Sequence, residues 1–206
     1  MKKTVLLFAL FCVPFLLFSQ AILTYMAPTF AGTSGSRAPN GTSAHTYFRG
    51  STIVLASELT GGIPNNTAIT KFGFMFNVGA SSAVTGNLKV YMLNTTSTTY
   101  ANGTDWATLS GAMTLVYNGN FTIPVTTTPL GVDVTLSTPF TYTGDGIYVA
   151  YDWSSSGPFA TTSAVYQCNN SLTGGIVMAT STTAPPTALT ASSAFRPCIR
   201  FGYNNP

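Results

Sequence analysis

Charge is what this chain has least of. Only 6% of its 206 residues are Asp, Glu, Lys or Arg, against roughly a quarter in an ordinary soluble domain. No basic stripe can be laid down for phosphates, so nucleic-acid binding loses its electrostatic support. Titratable catalysts are equally scarce. There is one histidine, His45, one glutamate, Glu58, and four aspartates, Asp105, Asp133, Asp145 and Asp152. A Ser-His-Asp triad would have to use His45, yet no G-x-S-x-G elbow is present. His45 lies in a Gly, Ser and Thr-rich stretch and is expected to be exposed or packed in a loop. A glycosidase needs two carboxyl groups about 5–9.5 Å apart. Asp145 and Asp152 bracket one predicted strand, which at about 3.3 Å per residue holds them about 23 Å apart. The expectation is a protein that is not an enzyme.

Cysteine is also sparse. Cys12 falls in a predicted leader, which leaves Cys168 and Cys198. In an exported chain these two are expected to pair. Closing a loop of about 30 residues would stabilise the fold by about 3–4 kcal/mol on the chain-entropy argument. A metal site is disfavoured, since two thiolates and a distant His45 do not complete a tetrahedral shell. No cofactor is called for. A structural calcium would have to draw on Asp105, Asp145 and Asp152, isolated acids with no D-x-D run.

What is present begins with Met1-Lys2-Lys3 followed by the apolar run Thr4 to Phe18, the pattern of a secretory signal peptide over residues 1–19 with cleavage between Ser19 and Gln20. The run is too short for a spanning helix, which needs about 20 apolar residues. Loss of Lys2 and Lys3 would take the formal charge from +3 to +1. No membrane insertion is expected once the leader is gone, and the chain is expected outside the cell or on its surface.

Disorder is excluded by an aromatic content of 13%. The remainder reads as short β-branched and aromatic runs separated by Gly, Asn, Pro and Ser clusters. In ITKFGFMFNV, strand alternation puts Phe72, Phe74, Phe76 and Val78 on one face. In GIYVAYDW it sets Ile147, Val149, Tyr151 and Trp153 against Tyr148, Ala150 and Asp152. NLKVYML (87–93) is a half-buried strand. Further strands are read at 51–59, 113–117, 121–125, 132–136, 164–168, 176–179 and 195–203, with 180–193 as a long loop. About ten strands with no amphipathic helix make an all-β, two-sheet antiparallel sandwich of jelly-roll type.

The surface implied by this composition is Thr, Ser, Asn and Tyr. Neutral sugars are held by an aromatic face and by neutral hydrogen-bonding groups. Tyr100 and Trp106, in NTTSTTYANGTDWATL, are the candidate platforms. The competing placement turns Trp106 inward to plug one end of the sandwich.

Several segments together, SRAPNGTSAHTYFRG, GNLKVYMLNTTSTTYANGTDWATLSGAM, PFTYTGDGIYVAYDW, YQCNNSLTGG and AFRPCIRFGY, resemble a β-sandwich module near the N-termini of secreted surface proteins of Bacteroidetes. Those proteins often continue into fibronectin type III-like domains and a type IX secretion sorting domain. The resemblance spans about residues 32 to 203. It implies extracellular display, with adhesion to neutral glycans or to host or cell-surface polymers, and it supplies no catalytic set. It also implies further domains in a longer parent. The expected organisation is a leader (1–19), an N-terminal arm (20–36), the sandwich (37–203) and a tail or linker start (204–206). Two rivals remain: a spacer or fibre subunit that donates the arm to a neighbour, and a glycan or peptide hydrolase with converging acids.

Overall fold

A computed structural model describes residues 21–204. The predicted leader and the last two residues lie outside the described residues. Thirteen strands are described: β1 (Ile22–Ala27), β2 (Gly32–Ser34), β3 (Tyr47–Val54), β4 (Ala68–Val78), β5 (Val84–Thr95), β6 (Thr114–Ile123), β7 (Leu130–Thr141), β8 (Gly146–Ser154), β9 (Val165–Asn169), β10 (Ile176–Ser181), β11 (Ala191–Ser193), β12 (Arg196–Pro197) and β13 (Ile199–Asn204). Two short helices, α1 (Ala56–Leu59) and α2 (Trp106–Gly111), interrupt them. The first sheet runs β1-β13-β4-β9-β12, with β7 on the other side of β4 and β2 on β9; the second runs β11-β10-β3-β8-β5-β6. Every pairing is antiparallel. The fold is the expected all-β, two-sheet sandwich.

The sheets meet through aromatic rings. Phe74 of the first sheet packs edge-on against Phe121 and Tyr151 of the second, with ring centres 5.9 and 5.3 Å apart. Phe72, Phe74 and Phe76 are fully buried, as are Ile147, Val149, Tyr151 and Trp153; Val78, read on the same face as the phenylalanines, is instead 37% exposed, beyond a register irregularity in the β4–β9 pairing that follows Phe76. Strand β8 is buried on both faces for nearly its whole length. Its outer face is therefore covered too. A second apolar cluster of Ile53, Trp106, Leu109, Met113, Tyr148, Ala150, Val177 and Leu189 lies there, on the far side of the sheet from the main core.

Several local readings change. Asn118-Gly119-Asn120, read as a break between two strands, lies inside the single strand β6. Its partners on β5 continue the ladder through Asn87, Leu88 and Lys89, and the Tyr117 ring folds over Gly119 to donate its hydroxyl to the Asn120 carbonyl at 2.6 Å. The strand read at 51–59 ends at Val54, where Glu58 folds back to accept the Leu55 N–H at 2.9 Å and starts α1. Within the stretch read as an N-terminal arm, β1 and β2 pair with β13 and β9 of the same chain. Part of the 180–193 loop is ordered as β11 on β10.

The expected disulfide is not formed; Cys168 and Cys198 are both buried free thiols. Strand alternation gives the reason. Pro197 pairs with Cys168, and the Cys198 N–H donates to the Gln167 carbonyl at 2.9 Å. Residues opposite one another share a face, so Cys168 points with Tyr166 into the main core, while Cys198 points with Arg196 to the opposite face. Burial pushes both thiols up to about 12, which leaves almost no reactive thiolate at neutral pH.

Candidate functional site

The outer face of the second sheet is built in cross-strand rows, and its chemistry changes from row to row. Nearest α1, Ile53 and Tyr148 are paired across the ladder and lie in the second apolar cluster. Helix α2 and residues 187–189 cover this half. Asp105 starts α2 by accepting the Thr108 N–H at 2.9 Å and the Thr108 hydroxyl at 2.6 Å. The backbone of 104–106 is zipped to 187–189, with Trp106 N–H to the Thr187 carbonyl at 2.9 Å and Leu189 N–H to the Thr104 carbonyl at 2.8 Å. Trp106 and Leu189 are thereby pressed onto the sheet.

Beyond the next row of Ser51, Ala150 and Tyr91 comes a row that carries charge: Arg49, Asp152, Lys89 and Asn118 lie side by side on β3, β8, β5 and β6. Arg49 closes the covered half. Its guanidinium pairs with Asp152 at 2.9 Å, donates to the Pro186 carbonyl at 2.7 Å and lies 4.7 Å from the Trp106 ring centre.

The last row is neutral and open. Tyr47, Ser154, Asn87 and Asn120 are successive partners across the same four strands. Together with Thr46, Thr85, Thr182, Ser155, Ser156 and the Phe159 ring they line a groove of ≈ 620 Å³. No charged side chain lines it. Tyr47 and Phe159 are half-buried and supply two ring surfaces. Asn87 is oriented by donating to the Asn118 side-chain carbonyl at 3.1 Å.

The sequence-derived platforms fall in the covered half. Trp106 is only 6% exposed, with Arg49 over one face and the Tyr91 ring edge-on at 5.8 Å. It plugs the sheet face and offers no free ring. Tyr100 is half-buried, edge-on to Tyr148 at 5.6 Å, and its hydroxyl donates to the Gly103 carbonyl at 2.9 Å. Burial pushes its phenol up to about 12. Tyr47, Asn87, Asn120, Ser154 and Phe159 were missed. Only Asn87, at the start of NLKVYML, carries a sequence signal, the polar side of that alternation, which says that a face is polar and not that it is open.

All five acids are engaged within the described residues. Glu58 pairs with fully buried Arg196 at 2.6 Å, and that guanidinium also reaches the Ile53 carbonyl at 2.9 Å and Asn169 at 2.9 Å, tying β12 to β3. Asp133 pairs with Arg200 at 2.7 Å and Asp152 with Arg49. The calcium candidates do not converge: Asp105 caps α2, Asp152 serves Arg49, and Asp145 accepts from the Thr143 hydroxyl at 3.2 Å. Among the described residues no three His, Cys, Asp or Glu side chains come together. His45 is buried, only 6% exposed, and stacks on Phe48 at 5.1 Å. Desolvation pushes its pKa down to about 4, against an opposing pull from the Ala38 carbonyl. No described helix is long and apolar enough to cross a membrane.

No known family model matches this chain, and no curated protein does. Among solved structures, the cysteine protease and lectin-like domains of a surface layer associated protein of Clostridium difficile share 8% identity over 78% of this chain and 33% of that one, with a TM-score of 0.39. A structure of infectious bursal disease virus, Gt strain, shares 14% identity over 96% of this chain and 40% of that one, with a TM-score of 0.27. The chain thus spans well under half of the solved chains it is compared with.

Proposed function

We propose that this protein is an extracellular, non-catalytic module that binds a glycan in the open groove of the second sheet. The observation that carries the reading is the Tyr47, Ser154, Asn87, Asn120 row: four neutral side chains in register, flanked by hydroxyls and by the Phe159 ring. Sugar C–H faces stack on rings, and sugar hydroxyls pair with amides and hydroxyls that can both donate and accept. An open groove suits an extended chain better than a small metabolite, which is held in a concave pocket that buries most of it. Export rests on the predicted leader. A non-catalytic role is supported by the five acids, each already committed to a structural partner.

A glycan array probed with the chain lacking its leader tests this. Binding should be retained by Trp106→Ala, provided that protein is still folded by circular dichroism, and lost from Tyr47→Ala. No bound glycan, or equal binding by Tyr47→Ala, overturns the reading. The spacer reading draws on a different feature: β1 is an edge strand with Ile22 and Leu23 45% and 42% exposed. It requires self-association by light scattering that is lost on deleting residues 21–27.

A further inference from the structure

Around the corner from the open groove lies a smaller cavity of ≈ 270 Å³, lined by Ser36, Arg37, His45, Met178, Thr180 and Thr190 among others. The two are neighbours through both strands that separate them. His45 lines the cavity while Thr46 and Tyr47 line the groove, and Thr180 lines the cavity while Thr182 lines the groove. Strand β10 brings these positions together by pairing Thr180 with Phe48 and Ser181 with Tyr47.

Two residues of this lining each carry a buried nitrogen with no hydrogen-bond partner, Arg37 Nε and His45 Nδ1. Arg37 is the one arginine of the four among the described residues that has no carboxylate partner. Its Nε is buried with no hydrogen bond, and Nη1 reaches only the Met178 sulfur at 3.9 Å. Arg37 is half-buried with no counter-charge beside it, and its planar fork matches a carboxylate. His45 Nδ1, in a side chain more than nine-tenths buried, also has no partner. A ring nitrogen of neutral histidine is a donor in one tautomer and an acceptor in the other; a hydroxyl satisfies either.

We propose that this cavity recognises one hexuronic acid residue of a glycan, its carboxylate on Arg37 and its hydroxyls on His45 Nδ1, Ser36, Thr180 and Thr190. The choice of a saccharide rests on the reading of the neighbouring groove; the choice of an anion does not. An acidic side chain of a peptide would answer Arg37 but would bring no hydroxyl for His45 or the three hydroxyl side chains.

The experiment is an NMR titration of the uniformly labelled chain with sodium glucuronate, glucose or N-acetylaspartate. Glucuronate is expected to shift the resonances of Arg37, His45 and Thr180 saturably. Arg37→Gln should weaken it at least about tenfold, the loss expected for a charge-assisted bidentate contact, and Arg37→Lys should recover part of it. Arg37→Gln should leave the shifts that a neutral oligosaccharide produces at Tyr47 and Asn87 unchanged. Equal binding of glucose at this cavity, equal binding of N-acetylaspartate, or indifference to Arg37→Gln each overturns the proposal. Failure of the groove alone appears instead as glucuronate binding at Arg37 with no oligosaccharide shifts at Tyr47.

Discussion

The two halves of the second sheet's outer face are built on the same strands, yet one is a second core and the other is open. In the covered half, α2 and residues 187–189 press Trp106, Leu109 and Leu189 onto Ile53, Tyr148 and Ala150. In the open half, one row beyond the Arg49–Asp152 pair, Tyr47, Asn87, Asn120 and Ser154 have no such cover. The lesson is that position along the strand does not separate a buried row from an open one here. What separates them is whether a distant segment arrives to bury the row. Arg49 sits on the border and serves the covered side, with one group on Asp152, one on Pro186 and its plane near Trp106.

The sharpest way to break this contrast is to delete one ring from each half. Trp106→Ala removes a ring that is 6% exposed and is expected to cost about 3–5 kcal/mol. Tyr47→Ala, at a half-buried position outside both apolar clusters, should cost about 1 kcal/mol or less. Urea unfolding followed by tryptophan fluorescence compares them; similar losses for the two variants would erase the distinction.

A smaller effect is expected from pH, through the end of the sheet beside the groove. His45 titrates near 4 in the folded protein and near 6.5 when unfolded. The unfolded state therefore binds more protons between these values, so the stability is fully present above about pH 6.5 and is lost as pH falls toward 4. The loss is on the order of 3 kcal/mol. Urea midpoints at pH 7 and pH 4.5 measure it, and His45→Asn should remove most of the slope over that interval.

The smallest effect concerns α2. Asp105→Ala removes the side-chain cap of α2 and should cost about 1 kcal/mol. Hydrogen exchange should show faster exchange at Thr108 and Leu109 with no change at Asn87 and Asn120. Equal acceleration in both places would mean that the halves open as one unit.

Strand identity and the main core were legible because they depend on period two, a property of adjacent residues. Phe72, Phe74, Phe76 and Ile147, Val149, Tyr151, Trp153 needed only their neighbours to be placed inward. Trp106 could not be placed that way: what covers it comes from Arg49 and from 187–189, dozens of residues away on either side. The cysteines failed for a related reason. Their spacing allowed a bond, but the register of β12 on β9 turned Cys198 to the face away from Cys168. Asn118-Gly119-Asn120 has the composition of a turn, and only the ladder to β5 shows that the strand continues through it.

The sequence by itself determined that the protein is a sandwich with an aromatic interior and a nearly uncharged exterior, because these follow from composition and local alternation. Tertiary structure alone decided which polar row is left open, which arginine is left without a carboxylate, and which face each thiol occupies. Those depend on contacts between residues far apart in the chain, and in antiparallel pairing a shift of one residue exchanges the buried and exposed faces of a strand.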